Sequence, residues 1–132
     1  MAKIQLVEDM KEWQWLWDAA GTKEAAALLV FKRSPICPTS HFVEGIFNRF
    51  IAKLRESENL RIISVDVISA RPISQRIAAD TGVRHQSPQA LLICAGQKVV
   101  WNASHGDINE ETLGTVLGGY NSFKERDTTP AP

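Results

Sequence analysis

Between Ala27 and Phe50 the apolar pattern changes rhythm at a single cysteine. Leu28 to Phe31 form a short, continuous apolar run of the kind that makes a buried strand. A polar turn follows, Lys32-Arg33-Ser34-Pro35, and then Cys37. Beyond it Phe42, Ile46, Phe47, Phe50, Ile51 and Leu54 recur at steps of three and four, which predicts a helix with one apolar face. Pro38 fits the first helical position, where a missing N–H leaves nothing unpaired. The pattern therefore sets Cys37 where a strand has ended and a helix begins.

The same reading extends in both directions. Trp13, Leu16, Trp17 and Ala20 share a face of a helix expected from about Glu8 to Ala20, with Gly21 as its stop. Trp13, Trp15 and Trp17 also alternate, which a strand would satisfy as well. The tryptophans are expected to pack against the core or a partner rather than to stack on a ligand. Leu60 to Val67 is β-branched and apolar, a second buried strand. Pro72 opens a helix through Ala79 with Ile73, Ile77 and Ala78 inward and Gly82 beyond its end. Leu91–Cys94 and Lys98–Asn102 read as strands joined by a tight Ala95-Gly96-Gln97 turn. Asp107 or Asn109 can cap a last helix whose apolar positions are Ile108, Leu113, Val116 and Leu117. Residues 1–119 are expected to form one domain, and residues 120–132, polar and proline-containing, a frayed tail.

Composition narrows the function classes. The 132 residues carry 15 basic and 15 acidic side chains, so charge gives no case for nucleic acid or an anionic membrane. No apolar run is long enough to span a bilayer. The N-terminus has no apolar signal core, so a reducing cytoplasm is expected. Cys37 and Cys94 alone make neither a disulfide framework nor a zinc site. No tightly bound cofactor or metal is expected.

At a helix start, unpaired N–H groups and the positive dipole end favour the thiolate of Cys37, and Lys32 and Arg33 would act in the same sense. Cys94, inside an apolar strand, is expected to pack in the core. The element order, α-β-α-β-α-β-β-α, predicts a parallel strand-helix-strand unit extended by a hairpin, with helices on both faces.

That arrangement resembles the thioredoxin fold: a central mixed four-stranded sheet flanked by helices, with an N-terminal helix. Ser34-Pro35-Ile36-Cys37-Pro38-Thr39-Ser40 stands where that superfamily keeps its redox motif. Gln86-Ser87-Pro88 stands where it keeps a cis-proline beside the active cysteine. Within the superfamily, Cys37-Pro38-Thr39-Ser40 and Val99-Val100-Trp101-Asn102-Ala103-Ser104-His105 resemble the monothiol bacilliredoxin family, whose usual motifs are close to T-C-P-I-S and W-H-A-S-H. The likeness covers roughly Ala25 to Leu117. Ile36, Thr39 and Asn102 depart from the usual Thr, Ile and His. They keep the nucleophile and leave the identity of its thiol partner open.

The resemblance implies a thiol–disulfide oxidoreductase whose partners are S-thiolated client proteins and a low-molecular-weight thiol, bacillithiol or a similar one, as co-substrate. A dithiol reductase needs a second cysteine three residues on to release its product; here that residue is Ser40. Cys94 is expected roughly 20 Å away at strand rise, beyond the reach of a disulfide. Cys37 would then act alone and be resolved by an external thiol. Ser40 either donates to the thiolate or is a plain first-turn residue, and His41 is expected to be solvated. Pro88, if cis, would aim the Ser87 backbone at an extended substrate. Ser104, His105, Gly106 and Asp107 should return to the rim, where backbone N–H groups could hold a carboxylate of the small thiol; a cap at Asp107 and a solvated His105 would serve equally. Asp66 lies either beneath the motif or at a strand end facing water. Two other readings stay open, a non-catalytic thioredoxin-like adaptor and an iron–sulfur carrier like the monothiol glutaredoxins, against which Pro38 counts.

Overall fold

The computed structural model describes residues 2–118; the tail expected from residue 120 lies outside them. The elements run β1 (Ile4–Leu6), α1 (Met10–Ala19), β2 (Ala27–Arg33), α2 (Pro38–Ala52), β3 (Leu60–Asp66), α3 (Arg71–Thr81), β4 (Gln89–Cys94), β5 (Lys98–Ser104), a 3-10 turn (His105–Asp107) and α4 (Glu110–Leu117). The strands form one five-stranded sheet in the order β1-β3-β2-β4-β5. β1 and β2 run parallel to β3, while β4 runs antiparallel to β2 and β5. The thioredoxin-like α/β class holds, with one strand more than the four expected. The extra strand is β1, three residues that pair with β3 from Ile4↔Ile62 to Leu6↔Ser64. So short a segment gives no alternation to read; pairing with β3, far along the chain, defines it.

β2 is central and buried from Ala27 to Lys32. Its period of two divides the core. Leu29 and Phe31 face a cluster built by α2 and α4, including Val43, Phe47, Phe50, Ile51, Leu113 and Leu117. Leu28 and Val30 face a second cluster with Trp13 and Leu16 of α1 and Ile73 and Ile77 of α3. The Phe31 and Phe47 rings stack with centroids 4.3 Å apart, fixing α2 on β2.

The α2 stripe differs from the expected one by a step. Its buried residues are Ser40, Val43, Phe47, Phe50 and Ile51, and Phe42 is 70% exposed. One residue is 100° of helix, so a stripe centred on Val43 and Phe47 turns Phe42 out. In α1 the Asp9 side chain accepts from the Lys11 N–H at 2.9 Å, and Trp13 and Leu16 are buried. Helical geometry settles the tryptophan alternation: Trp15 points to solvent under the Arg61 guanidinium, 4.8 Å from its ring. Gly82, at φ 73°, ends α3. Asn109 rather than Asp107 caps α4, in a reciprocal box with Thr112. Among the described residues no helix is long and apolar enough to cross a membrane.

Candidate active site

β2 and α2 together present Cys37 at one end of the sheet. β2 stops at Arg33, and Cys37 is the N-cap of α2, with extended backbone (φ −96°, ψ 119°) and Pro38 just inside the helix. The Cys37 carbonyl accepts the His41 N–H at 3.1 Å. Its thiol is partly exposed, in no disulfide, and lies at the positive end of a 15-residue helix.

Two side chains of the first helical turn brace the loop that delivers the cysteine. Ser40 is fully buried, and its Oγ accepts the Ser34 backbone N–H at 2.8 Å. The geometry gives that hydroxyl a definite task, closing the turn between strand and helix. His41 reaches back so that its Nε2 lies 2.8 Å from the Pro35 carbonyl. A carbonyl only accepts, so Nε2 carries the proton. The ring is exposed, as expected of a solvated residue, yet it holds the turn two residues ahead of Cys37. Pro35 is half-buried between these braces, while Ile36, Pro38 and Thr39 are exposed around the cysteine.

The two cations expected to favour the thiolate have other partners. Lys32 is completely buried and, by strand alternation, faces the α3 side of the sheet, away from α2. Its Nζ donates to the Ser74 carbonyl at 3.0 Å and meets His85 Nδ1 at 3.2 Å. Burial lowers its pKa to about 8. Arg33 pairs with Glu44 at 2.7 Å and Asp66 at 3.3 Å. Asp66 closes the β3–α3 turn, its Oδ1 accepting the Ile68 and Ser69 N–H groups at 2.8 and 3.0 Å. Burial works to raise its pKa, but those N–H groups and Arg33 outweigh it and hold the carboxyl below its ordinary value.

The second wall comes from the start of β4. The Ser87–Pro88 peptide bond is cis. Gln89 pairs with Lys32 in the sheet, so Pro88 stands one step further, beside the chain leaving β2 for Cys37. The Pro88 carbonyl accepts the His105 N–H at 3.1 Å, and Ser104 pairs with Gln89. Ser104 and His105 thus join the rim, with His105 in left-handed backbone at φ 53°. The 3-10 turn packs against α2. Asn109 Nδ2 donates to the Gly106 carbonyl at 3.1 Å and Thr112 Oγ1 to the Asp107 carbonyl at 2.7 Å. The first turn of α4 carries Glu110 and Glu111, whose charges suit its positive end.

Cys94 closes β4 at the opposite end of the sheet, past the pair Leu28↔Ile93. From there to the turn before Cys37 is the whole length of β2, about 20 Å at strand rise. The structure also brings in His85, which sequence reading had not singled out. Its position shortly before Ser87-Pro88 was the one available signal.

The profile of the family described as monothiol bacilliredoxin BrxC matches residues 5–113. Among solved structures, one assigned as an oxidoreductase with a thioredoxin fold is similar, with 28% identity, a TM-score of 0.68 and coverage of 85% of this chain and 91% of that one. Thioredoxin NaTrxh from Nicotiana alata shares 16% identity at a TM-score of 0.68, covering 92% and 95% of the two chains. The Malassezia sympodialis thioredoxin Mala s 13 shares 10% at 0.63, covering 91% and 92%. The last two likenesses concern the fold alone. With the profile running over most of the described residues, the chain belongs to the monothiol bacilliredoxin family.

Proposed function

We propose that the protein is a monothiol thiol–disulfide oxidoreductase in which Cys37 is the nucleophile. Its substrates are mixed disulfides between client proteins and a low-molecular-weight thiol such as bacillithiol, in the cytoplasm. The Cys37 thiolate attacks the sulfur of the small thiol. A new S–S bond forms to Cys37, the old one breaks, and the protein sulfur leaves as thiolate and takes up a proton. A second small thiol, as thiolate, then attacks the adduct, forms a small-molecule disulfide and returns Cys37. The external thiol supplies both electrons, and no resident cofactor is needed.

The observation that carries this reading is the position of the nearest potential resolving group. Three residues beyond Cys37 stands Ser40, a hydroxyl bound to the Ser34 N–H, and Cys94 ends the far side of β4. An incoming protein segment has the Ser87 backbone edge to lie along, and the small thiol has the rim of Ser104, His105, Gly106 and Asp107.

The test is removal of a small-thiol adduct from a client protein, followed with bacillithiol as reductant. Wild type and Cys94→Ser should restore the free client thiol at similar rates, and Cys37→Ser should not. Equal loss in both variants would contradict a mechanism that needs one cysteine.

A further inference from the structure

The loop that carries Pro88 is irregular from Gly82 to Gln86, yet side-chain contacts hold it at Arg84 and His85. Gln89 Nε2 donates to the Arg84 carbonyl at 2.9 Å. One residue on, His85 is held from behind: its Nδ1 lies 3.2 Å from Lys32 Nζ and 3.2 Å from Ser74 Oγ. Lys32 is itself locked, fully buried on β2 with its ammonium on the Ser74 carbonyl of α3. An ammonium can only donate, so Nδ1 of His85 must be the acceptor, and the ring must be the neutral Nε2–H tautomer. The contact thus ties the strand leading to Cys37 to the loop leading to Ser87 and Pro88.

We propose that Lys32 and His85 are a positioning pair for the protein half of the substrate. Lys32 holds His85, and through it the Arg84–Ser87 backbone, in the place where an extended client segment lies beside Cys37. This deepens the thiol–disulfide function proposed above and rests on it. The pair acts on recognition of the polypeptide and leaves attack on the sulfur to Cys37.

The arrangement carries its own pH dependence. Protonation of His85 would put a second N–H against the ammonium and break the contact. The charged groups acting on His85 are Lys32 from β2 and Arg71 from α3; burial first, then these two cations, lowers its pKa. The ring is therefore neutral at neutral pH, and its protonation breaks the contact as pH falls through a value below the ordinary one for histidine.

The experiment compares kcat/KM for a peptide–small-thiol mixed disulfide with kcat/KM for a small symmetrical disulfide, from about pH 5 to about pH 8. Attack by Cys37 is common to both and cancels in the ratio. In wild type the ratio should be constant at neutral pH and fall in acid. His85→Leu should lower it roughly tenfold at neutral pH, the scale of one lost charge-assisted hydrogen bond, and leave it flat into acid, where wild type falls to meet it. His85→Asn offers an oxygen acceptor in place of Nδ1 and does not titrate, so it should keep the ratio high and flat into acid. Because His85 is exposed, both variants should fold. A wild-type ratio in His85→Leu at neutral pH, or an acid fall retained in His85→Asn, would overturn the pair's role while leaving Cys37 as nucleophile. A wild type that turns over neither disulfide would overturn the function itself, and this role with it.

Discussion

The Oγ of Ser40 lies 2.8 Å from the backbone nitrogen of Ser34 and accepts its hydrogen. With the His41 bond to the Pro35 carbonyl, this bond closes the turn between β2 and α2, and Cys37 sits inside the closure. Ser40→Ala would leave a buried N–H without its partner, at a cost of about 1–3 kcal/mol. Urea unfolding should show that loss. Alkylation of Cys37 by a small reagent should slow as well, because the helix start is no longer held against the strand end. Unchanged stability would mean the turn is closed by something else.

Acid stability should depend on Asp66. Its folded pKa lies below its unfolded one, so its contribution is fully present above the unfolded value. That contribution is lost as pH falls through the folded value. Asp66→Asn keeps an oxygen for the Ile68 and Ser69 N–H groups but not the charge facing Arg33. The variant should be less stable at neutral pH and should lose less on acidification below about pH 4. Parallel acid profiles for the two proteins would place the sensitive group elsewhere.

Lys32 works in the same sense at higher pH, although here folding disfavours the charged form. Its folded pKa is lowered to about 8, while in the unfolded chain it stays near about 10.4. Between those values the unfolded state binds more protons, so stability rises with pH. Lys32→Met should abolish that rise, measured by thermal unfolding across the alkaline range. A rise retained in Lys32→Met would show that another group causes it.

The α2 stripe predicts unequal phenylalanines. Phe47 is fully buried and stacked on Phe31, so Phe47→Ala should cost about 3–5 kcal/mol. Phe42 is 70% exposed, and Phe42→Ala should stay within about 0.5 kcal/mol. Chemical denaturation of both variants decides the matter, and similar costs would return Phe42 to the core.

What the sequence disclosed was what local patterns encode. The apolar run before Lys32, Pro38 after Cys37 and the three-and-four spacing beyond them marked the strand, the helix and the cysteine between. β1 escaped because three residues acquire strand identity only from β3. Phe42 misled because a phenylalanine one step off the stripe keeps nearly the same spacing. Of the candidate site, the sequence marked Cys37 and Ser87-Pro88, whose residue types are distinctive. Lys32 was not marked as buried, since a lysine after an apolar run reads as the start of a polar turn. Its burial requires Ser74 and His85, 42 and 53 residues away. The bond from Ser40 to Ser34 likewise depends on a turn geometry that no periodicity reports.

The most direct measurement is the intact mass and peptide map of the protein trapped during turnover of a client mixed disulfide, before any second thiol is added. One small-thiol adduct on Cys37, with Cys94 still free, is the result the monothiol mechanism predicts. A Cys37–Cys94 disulfide, or an adduct on Cys94 alone, would contradict it.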